Sequence, residues 1–555
     1  MVSSHLLVAE HVASALCAHI DHIFGVMGNG NAYFLDALER TGRVPYTAVR
    51  HESGAVVAAD AYHRVSGRLA AATTTYGAGF TNTLTALAEA VQARTPLVLV
   101  VGDEPTSGPR PWDVDQIALA NGVGARTYTV GRTDCAATAI IAVEHALTNR
   151  IPVVLALPYD TATLDAGPLG TIPEPHLPQP LIPDGEFVTH SISEAAYALA
   201  HAQRPFLLAG NGAWRAGAGE ALGSLADTVN AVTGSTALGR GIFPNQQYDV
   251  GVVGGFGAHD AMAVVRQSDV AIVFGASLNP FTMRFGNLFA PGTRIIQVDV
   301  NTSATHAHVR DFIRGDARVV AEELTAQIRL LEIAHSSSRW RESIDWSTVR
   351  SYEAGDTVAA DGRLDPRTVA HQLARLLPED RVVVSDGGHF IGWANMYWPV
   401  ADPNRMVMVG TAYQSIGLGF PSVVGAALAL PNSCVVLSTG DGGGLMALPD
   451  LESAVRVAGG RGIAVVWNDA AYGAEINLYG LKGLTREPMR IPEVDFAALA
   501  RAVGAEGVSV HTLGDLAALT EWTARPVDGR GFLVLDVHIS GDVISPHQLE
   551  IIQSS

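Results

Sequence analysis

The feature that most constrains this chain lies between Gly440 and Asn468. There two short apolar runs are separated by a glycine turn and one amphipathic stretch. Val435-Val436-Leu437-Ser438-Thr439 reads as a buried strand that ends at Gly440-Asp441-Gly442. Positions 448–457 then show helical periodicity, and 463–467 form a second apolar strand that ends at Asn468-Asp469. A β-turn-α-β unit of this kind places Asp441 and Asn468 at the carboxyl ends of neighbouring parallel strands, where ligands bind in such sheets. A Gly-Asp-Gly triplet alone is an ordinary turn with a solvated aspartate. Paired with an Asn at the next strand end, it offers two hard oxygen ligands beside free backbone N–H groups, which suits a magnesium ion holding a diphosphate.

The alternation of helix and strand patterns runs through the rest of the chain. Strands are expected at 69–72, 97–101 and 153–157, then at 205–208, 270–274 and 295–298, then at 382–385, 435–438, 463–467 and 532–537. The proline-rich stretch 167–183 is too stiff and too poor in amide donors for a core element. The polar run His335-Ser336-Ser337-Ser338 marks a second boundary, and a third unit opens near Asp365. The expected fold class is therefore α/β, with three doubly wound parallel-sheet domains at 1–165, 189–333 and 361–555, joined by linkers at 166–188 and 334–360.

At 555 residues the chain is too long for one core. Its 48% hydrophobic and 16% charged residues fit a protein that buries much of its surface, in part between subunits. A net charge of −19 argues against nucleic acid or an anionic membrane as partner. Cys17, Cys135 and Cys434 are few, widely spaced and odd in number, which suggests neither a disulfide framework nor a zinc site. The first 18 residues lack a basic n-region, and no apolar run reaches spanning length, so a soluble, cytoplasmic protein is expected.

Gly440-Asp441-Gly442 followed by Asn468-Asp469-Ala470 resembles the motif that holds thiamine diphosphate. Three further blocks stand near the N-terminus: Phe24-Gly25-Val26-Met27-Gly28-Asn29-Gly30, His51-Glu52-Ser53-Gly54-Ala55 and Gly77-Ala78-Gly79-Phe80-Thr81-Asn82. They look like the FGxPG, HExxA and GPGxTN blocks of the acetolactate synthase and pyruvate oxidase-like branch of thiamine diphosphate enzymes. The resemblance covers nearly the whole chain, in the family's order. It implies pyrimidine-binding, central and pyrophosphate-binding domains.

The resemblance also assigns roles. Glu52 matches the acid that hydrogen-bonds pyrimidine N1′, so that the cofactor's own 4′-amino group takes the thiazolium C2 proton. A bland reading makes it a surface Glu, but the residues after it, 54–59, are small and apolar and imply close packing. Gly79 and Asn82 belong to the same half-site. Asp441, Asn468 and the backbone carbonyl of Ala470 would ligate magnesium, with Gly440, Gly442 and Gly443 lining the phosphates. Asp469 stands where the family usually has a second Asn, while Tyr472-Gly473 is in register. In the segment 410–421, Ile416 takes the place of the side chain that wedges between the cofactor's rings, and the Gln414 carbonyl should receive the 4′-amino group. Gly388 and His389 lie in a turn that resembles another diphosphate contact.

On the substrate side, Asn29 sits where decarboxylases that release acetaldehyde carry an acid, and their adjacent His-His pair is missing after Val101-Gly102-Asp103. Gln116 is the candidate polar contact near C2, with Asp115 in the place of the synthases' Phe, and Glu475 is a candidate substrate-facing acid or base. The central unit's Gly275-Ala276-Ser277-Leu278-Asn279-Pro280 resembles an FAD- or ADP-binding domain. Its Gly254-Gly255-Phe256-Gly257 hint reads equally as a plain turn, and the synthases' arginine is replaced by Phe281, with Arg284 displaced. FAD is compatible with the resemblance but not expected.

Together these readings imply a thiamine diphosphate- and Mg2+-dependent carbon–carbon lyase or ligase. It would act on a 2-oxo acid, with an aldehyde or second 2-oxo acid as acceptor. The alternatives are a 2-hydroxyacyl or 2-hydroxy ketone lyase, a simple 2-oxo acid decarboxylase and, from another class, an inactive cofactor-binding subunit. The family builds its sites between two chains, so a homodimer or homotetramer is implied.

Overall fold

A computed structural model of the chain describes residues 5–331 and 339–554. The boundary expected at His335–Ser338 lies outside the described residues. Three six-stranded, all-parallel sheets follow one another along the chain. The N-terminal sheet comprises β1 (Ile23–Gly25), β2 (Tyr46–Ala48), β3 (Ala71–Thr74), β4 (Leu97–Asp103), β5 (Arg126–Thr129) and β6 (Pro152–Pro158). The central sheet comprises β7 (Pro205–Ala209), β8 (Val232–Ser235), β9 (Asp249–Val252), β10 (Val270–Phe274), β11 (Arg294–Asp299) and β12 (Asp311–Arg314). The C-terminal sheet comprises β13 (Arg381–Ser385), β14 (Met406–Val407), β15 (Cys434–Gly440), β16 (Gly462–Asn468), β17 (Glu506–Val510) and β18 (Leu533–His538).

The N-terminal order β2-β1-β3-β4-β6-β5 and the C-terminal order β14-β13-β15-β16-β18-β17 are the same topology written twice. The central order, β12-β11-β10-β7-β8-β9, is different and reverses between β10 and β7. In both outer sheets the order switches at the equivalent pair, β1/β3 and β13/β15, and crevices for ligands open outside the carboxyl ends of such strands.

Two expected elements shift. The strand read at 69–72 forms at Ala71–Thr74, in register with Ile23–Gly25. Its threonines are fully buried, and Thr73 Oγ1 accepts a hydrogen bond from Asn31 Nδ2 at 3.0 Å. A satisfied hydroxyl lets a polar residue occupy a strand centre that hydrophobicity places earlier. The stretch expected to be helical at 448–457 forms a 3₁₀ turn at Leu448–Asp450 and the helix Leu451–Ala458, and a further short helix, Asp441–Met446, precedes it. Pro449 sits inside that 3₁₀ turn, where its missing N–H costs nothing.

One apolar cluster runs from Phe24, Val56 and Leu99 in the N-terminal unit to Val423, Leu437 and Phe496 in the C-terminal unit. The helices Glu52–Ser66 and Gly419–Ala429 cross at its centre. A Cβ on Gly425 would lie 2.0 Å from the Ala58 carbonyl oxygen, so only glycine allows this approach. Buried ion pairs flank the crossing: Arg64 binds Asp60 at 2.6 Å and Glu89 at 3.0 Å, and Glu89 Oε2 accepts the Tyr413 N–H at 2.7 Å.

Candidate active site

The N-terminal half-site is built on the loops after β1 and β3 and on the start of the helix Glu52–Ser66. His51 caps that helix, its Nδ1 accepting the Ser53 N–H at 3.2 Å. Glu52 therefore projects from the first turn, where a carboxylate also suits the helix dipole. Asn82 Nδ2 donates to Glu52 Oε2 at 3.0 Å, and the space where Gly79 lacks a Cβ lies 3.5 Å from Glu52 Oε1. Glu52, Gly79 and Asn82 thus come together. Behind the helix start, Asp450 Oδ1 accepts the Arg50 N–H at 2.9 Å, and a Cβ on Gly54 would sit 2.1 Å from Asp450 Oδ2.

Two substrate-side residues have partners the sequence did not announce. Asn29 is exposed and its Nδ2 donates to the Tyr76 hydroxyl at 2.9 Å. The Arg110 guanidinium lies 4.0 Å from the centre of the Tyr76 ring and is bound by Asp113 at 2.8 Å. Gln116 was expected near C2, but it is only 3% exposed and its amide is committed within the loop. Oε1 accepts the Gly77 N–H at 2.9 Å, and Nε2 donates to the Gly102 carbonyl and Asp103 Oδ1, both at 3.0 Å. In this structure Gln116 braces the Gly77–Gly79 turn. Asp115 caps the helix Gln116–Gly122 by accepting the Ala118 N–H at 2.9 Å.

The C-terminal half-site gathers at the ends of β13, β15 and β16. Asp441 is 4% exposed; its Oδ1 accepts the Gly442 N–H at 2.9 Å and its Oδ2 the Ala471 N–H at 3.2 Å. The Gly442 amide therefore serves Asp441. Burial, then the charge of neighbouring Asp469, pushes the Asp441 carboxyl up to about 7. A divalent cation beside it would reverse that shift. Asn468 is fully buried, and among the described residues its Oδ1 has no hydrogen-bond partner; neither has Asp469 Oδ1. Among the described residues no group of three His, Cys, Asp or Glu side chains is placed to hold a metal. A metal here would have the mixed donors expected from the sequence: the Asp441 carboxylate, the Asn468 amide oxygen and the Ala470 carbonyl. That carbonyl accepts the Ile491 N–H at 2.9 Å and keeps a second lone pair.

Ala470 and Gln414, the two residues expected to act through backbone carbonyls, both have φ of +58°. Such left-handed backbone is uncommon for non-glycine residues and clusters at functional sites. Ile416 is 37% exposed, and its Cγ2 lies 2.9 Å from where a Gly387 Cβ would be. The residue that ties this loop down is Asp386, which the sequence reading did not single out. Asp386 Oδ1 accepts the N–H groups of Gly387, Gly417 and Leu418, and Oδ2 accepts the Thr439 hydroxyl at 3.0 Å.

Gly388 adopts φ +136°, and its neighbour His389 reaches Asp469 Oδ2 with Nε2 at 3.2 Å. Burial disfavours the charged imidazole, but the hydrogen bond and charge of Asp469, with Asp441 and Glu475 beyond, raise its pKa overall. A Cβ on Gly473 would strike His389 at 2.4 Å, and one on Gly440 would meet the Phe390 ring at 2.7 Å. One on Gly443 would meet Asp386 Oδ2 at 2.7 Å, and one on Gly442 the half-buried Tyr472 ring at 2.8 Å. Glu475 is exposed in a helical turn that passes into a π-helix at Ile476–Gly480.

The central unit holds none of these groups. Arg284 pairs with Glu550 of the C-terminal helix, and Asn279 Oδ1 accepts the Thr282 N–H at 2.8 Å in a turn. The glycine run at 254–257 is a turn packed on Phe281 and Thr282. No hydrogen bond among the described residues links Glu52 to Asp441 or Asn468. No helix among them is long and apolar enough to cross a membrane.

Residues 7–119 match the family described as "Thiamine pyrophosphate enzyme, N-terminal TPP binding domain". Residues 192–324 match its central domain and residues 386–537 its C-terminal TPP binding domain. The chain is 26% identical to the acetolactate synthase large subunit of Buchnera aphidicola subsp. Schizaphis graminum, over 97% of this chain and 96% of that protein. It is 30% identical to a probable acetolactate synthase large subunit of Methanocaldococcus jannaschii, over 80% of this chain and 77% of that one. Its fold is similar to that of the Rhodococcus jostii RHA1 thiamine diphosphate-dependent 4-hydroxybenzoylformate decarboxylase, with a TM-score of 0.78, 21% identity and coverage of 96% and 99%. With its three domains in the family's order and a thiamine diphosphate half-site at each end, the chain belongs to the thiamine pyrophosphate enzymes, in the branch that resembles acetolactate synthase.

Proposed function

We propose that the protein decarboxylates a 2-oxo acid and joins the remaining acyl carbon to a second carbonyl compound, using thiamine diphosphate and Mg2+. The observation that carries the carboligation half is the neutral mouth of the N-terminal half-site. Asn29 stands there with its amide donated to Tyr76, and among the described residues no carboxylic acid or histidine hydrogen-bonds it. A neutral amide orients an oxygen but delivers no proton as an acid would. The acyl carbon is then left for an electrophile.

Bound thiamine diphosphate supplies the carbon nucleophile and the electron sink for loss of CO2. Asn82 fixes Glu52 Oε2, leaving Oε1 on the Gly79 side as the atom that would exchange a proton with the pyrimidine nitrogen. Asp441, Asn468 and the Ala470 carbonyl would hold Mg2+, and the turns at Gly388-His389 and Gly442-Gly443 would face the diphosphate. Ile416 and the Gln414 carbonyl would set the cofactor's bend. Glu475, exposed in the helical turn that follows Tyr472, would face the substrate as an acid or base.

Because no hydrogen bond among the described residues joins Glu52 to Asp441 or Asn468, the working unit is read as a homodimer or homotetramer, with each site shared between subunits. Exposed apolar residues just beyond β1 and at the end of the helix after β15, Met27 at 66% and Met446 at 51%, support this. The test is a panel of 2-oxo acids with and without added aldehyde or second 2-oxo acid, with CO2 and products quantified. Carboligated product in proportion to acceptor is expected. Free aldehyde at high turnover whatever the acceptor would make the protein a simple decarboxylase, and no turnover with bound cofactor would make it a binding subunit.

A further inference from the structure

Asn468 can serve a metal only if its amide is turned with the oxygen outward, and we propose that Asp536 is the positioning residue that sets this turn. The proposal rests on the reading of Asn468 as a metal ligand. Asn468 Nδ2 carries two hydrogens and both are spent: it donates to Asp536 Oδ1 at 2.9 Å and to the Val494 carbonyl at 3.1 Å. A carboxylate and a carbonyl only accept. The opposite rotamer would set the amide oxygen against two oxygens, neither of which can donate to it. The oxygen is therefore forced to the other side, where it stands buried and without a partner.

Asp536 is itself held. It is fully buried in β18, paired across from Val466, two residues before Asn468 on β16. Its Oδ2 accepts the Phe496 N–H at 3.0 Å and lies 3.6 Å from His538 Nε2. One oxygen anchors the carboxylate to the 494–496 segment and the other reads the hydrogens of Asn468. Outer partners of this kind orient the ligand that touches the metal.

The test is Mn2+ binding to thiamine diphosphate-saturated protein, followed by the EPR signal of free Mn2+, with Mg2+ affinity by calorimetry as a check. D536N places an amide that can donate as well as accept, so Asn468 is free to turn its nitrogen toward the metal. Metal affinity should fall about 10- to 100-fold. Adding N468D restores a one-way pair, with the amide donating from position 536 and an oxygen kept for the metal. N468D/D536N should recover to within about tenfold of the parent, the remainder reflecting the donor lost by Val494.

A double variant that folds, shown by circular dichroism, yet stays as weak as D536N assigns Asp536 a structural role only and overturns the proposal. Parental affinity in D536N overturns it as well. N468A keeps the two levels apart: if N468A binds Mn2+ like the parent, the ligand reading itself fails. If N468A loses binding while D536N does not, only the positioning role fails. Should D536N alone not fold, the double variant is compared with the parent and N468A: affinity within about tenfold of the parent supports the proposal, and affinity as weak as N468A overturns it.

Discussion

The two outer sheets have one topology and opposite chemistry. The loops after β1 and β3 present Gly28, Asn29, Gly77 and Gly79, with a single acid, Glu52, brought in from a neighbouring helix. The equivalent loops after β13 and β15 present Asp386, His389 and Asp441, and the next strand adds Asp469. Both switch points make a crevice, because strand order alone produces one. What each crevice holds depends on whether its rim is neutral, and so suited to a flat ring, or carries carboxylates and free oxygens, suited to a cation with phosphates. Duplicated architecture supplies the place; the residues in the first turn beyond each strand supply the use.

That contrast can be broken from either side. The largest effect is expected at the lone acid of the neutral crevice. E52Q keeps the shape and removes the exchangeable proton, so cofactor should still bind while C2–H/D exchange, followed by NMR, slows about 10²- to 10⁴-fold. Exchange at the parental rate would remove Glu52 from activation. On the charged side, D441A should weaken cofactor binding by about 100-fold and abolish its dependence on divalent metal, read by calorimetry with and without chelator. Metal dependence persisting in D441A would sever that crevice from the diphosphate.

The weld between the two sheets should respond differently from either crevice. G425A forces a methyl group against the Ala58 carbonyl and should lower stability by roughly 1–3 kcal/mol, measured by thermal or urea unfolding, with cofactor affinity preserved in the folded fraction. An unchanged midpoint would mean that the helices slide apart at no cost. The mildest change sharpens the neutral rim: N29D adds an acid there and should raise the share of free aldehyde among products about tenfold. An unaltered product ratio would remove position 29 from control of the product's fate.

The parts of this molecule legible in its sequence were those that signal locally. Buried parallel strands such as Val435–Leu437 read directly because both faces are covered, and residues at strand ends, such as Asp441 and Asn468, follow from where the strands stop. Residues whose meaning depends on a distant partner were not legible. Asp386 looks like any aspartate in a glycine turn until Gly417, Leu418 and Thr439 converge on it. Gln116 has the polarity of a substrate contact, yet its amide is consumed by Gly77, Gly102 and Asp103. Arg284 finds Glu550 across 266 positions, a pairing that no periodicity encodes. Thr73 and Thr74 hid half of β3, because hydropathy cannot see that Asn31 satisfies Thr73.

The close crossing at Gly425 also bears on how the chain acquires its fold. The apolar cluster through that crossing draws residues from both ends of the sequence, Phe24 among the first and Val534 among the last. One face of each outer unit stays open until the other has been made, although the cluster from Val8 to Ala162 closes within the N-terminal unit alone. During synthesis the first 160 or so residues would wait with one face open while the central unit, whose clusters at Leu207 and Val273 draw on residues from 188 to 352, completes itself. On heating, the outer units are expected to come apart in a single cooperative step, and a fragment cut after β6 to behave as an aggregation-prone half rather than a domain.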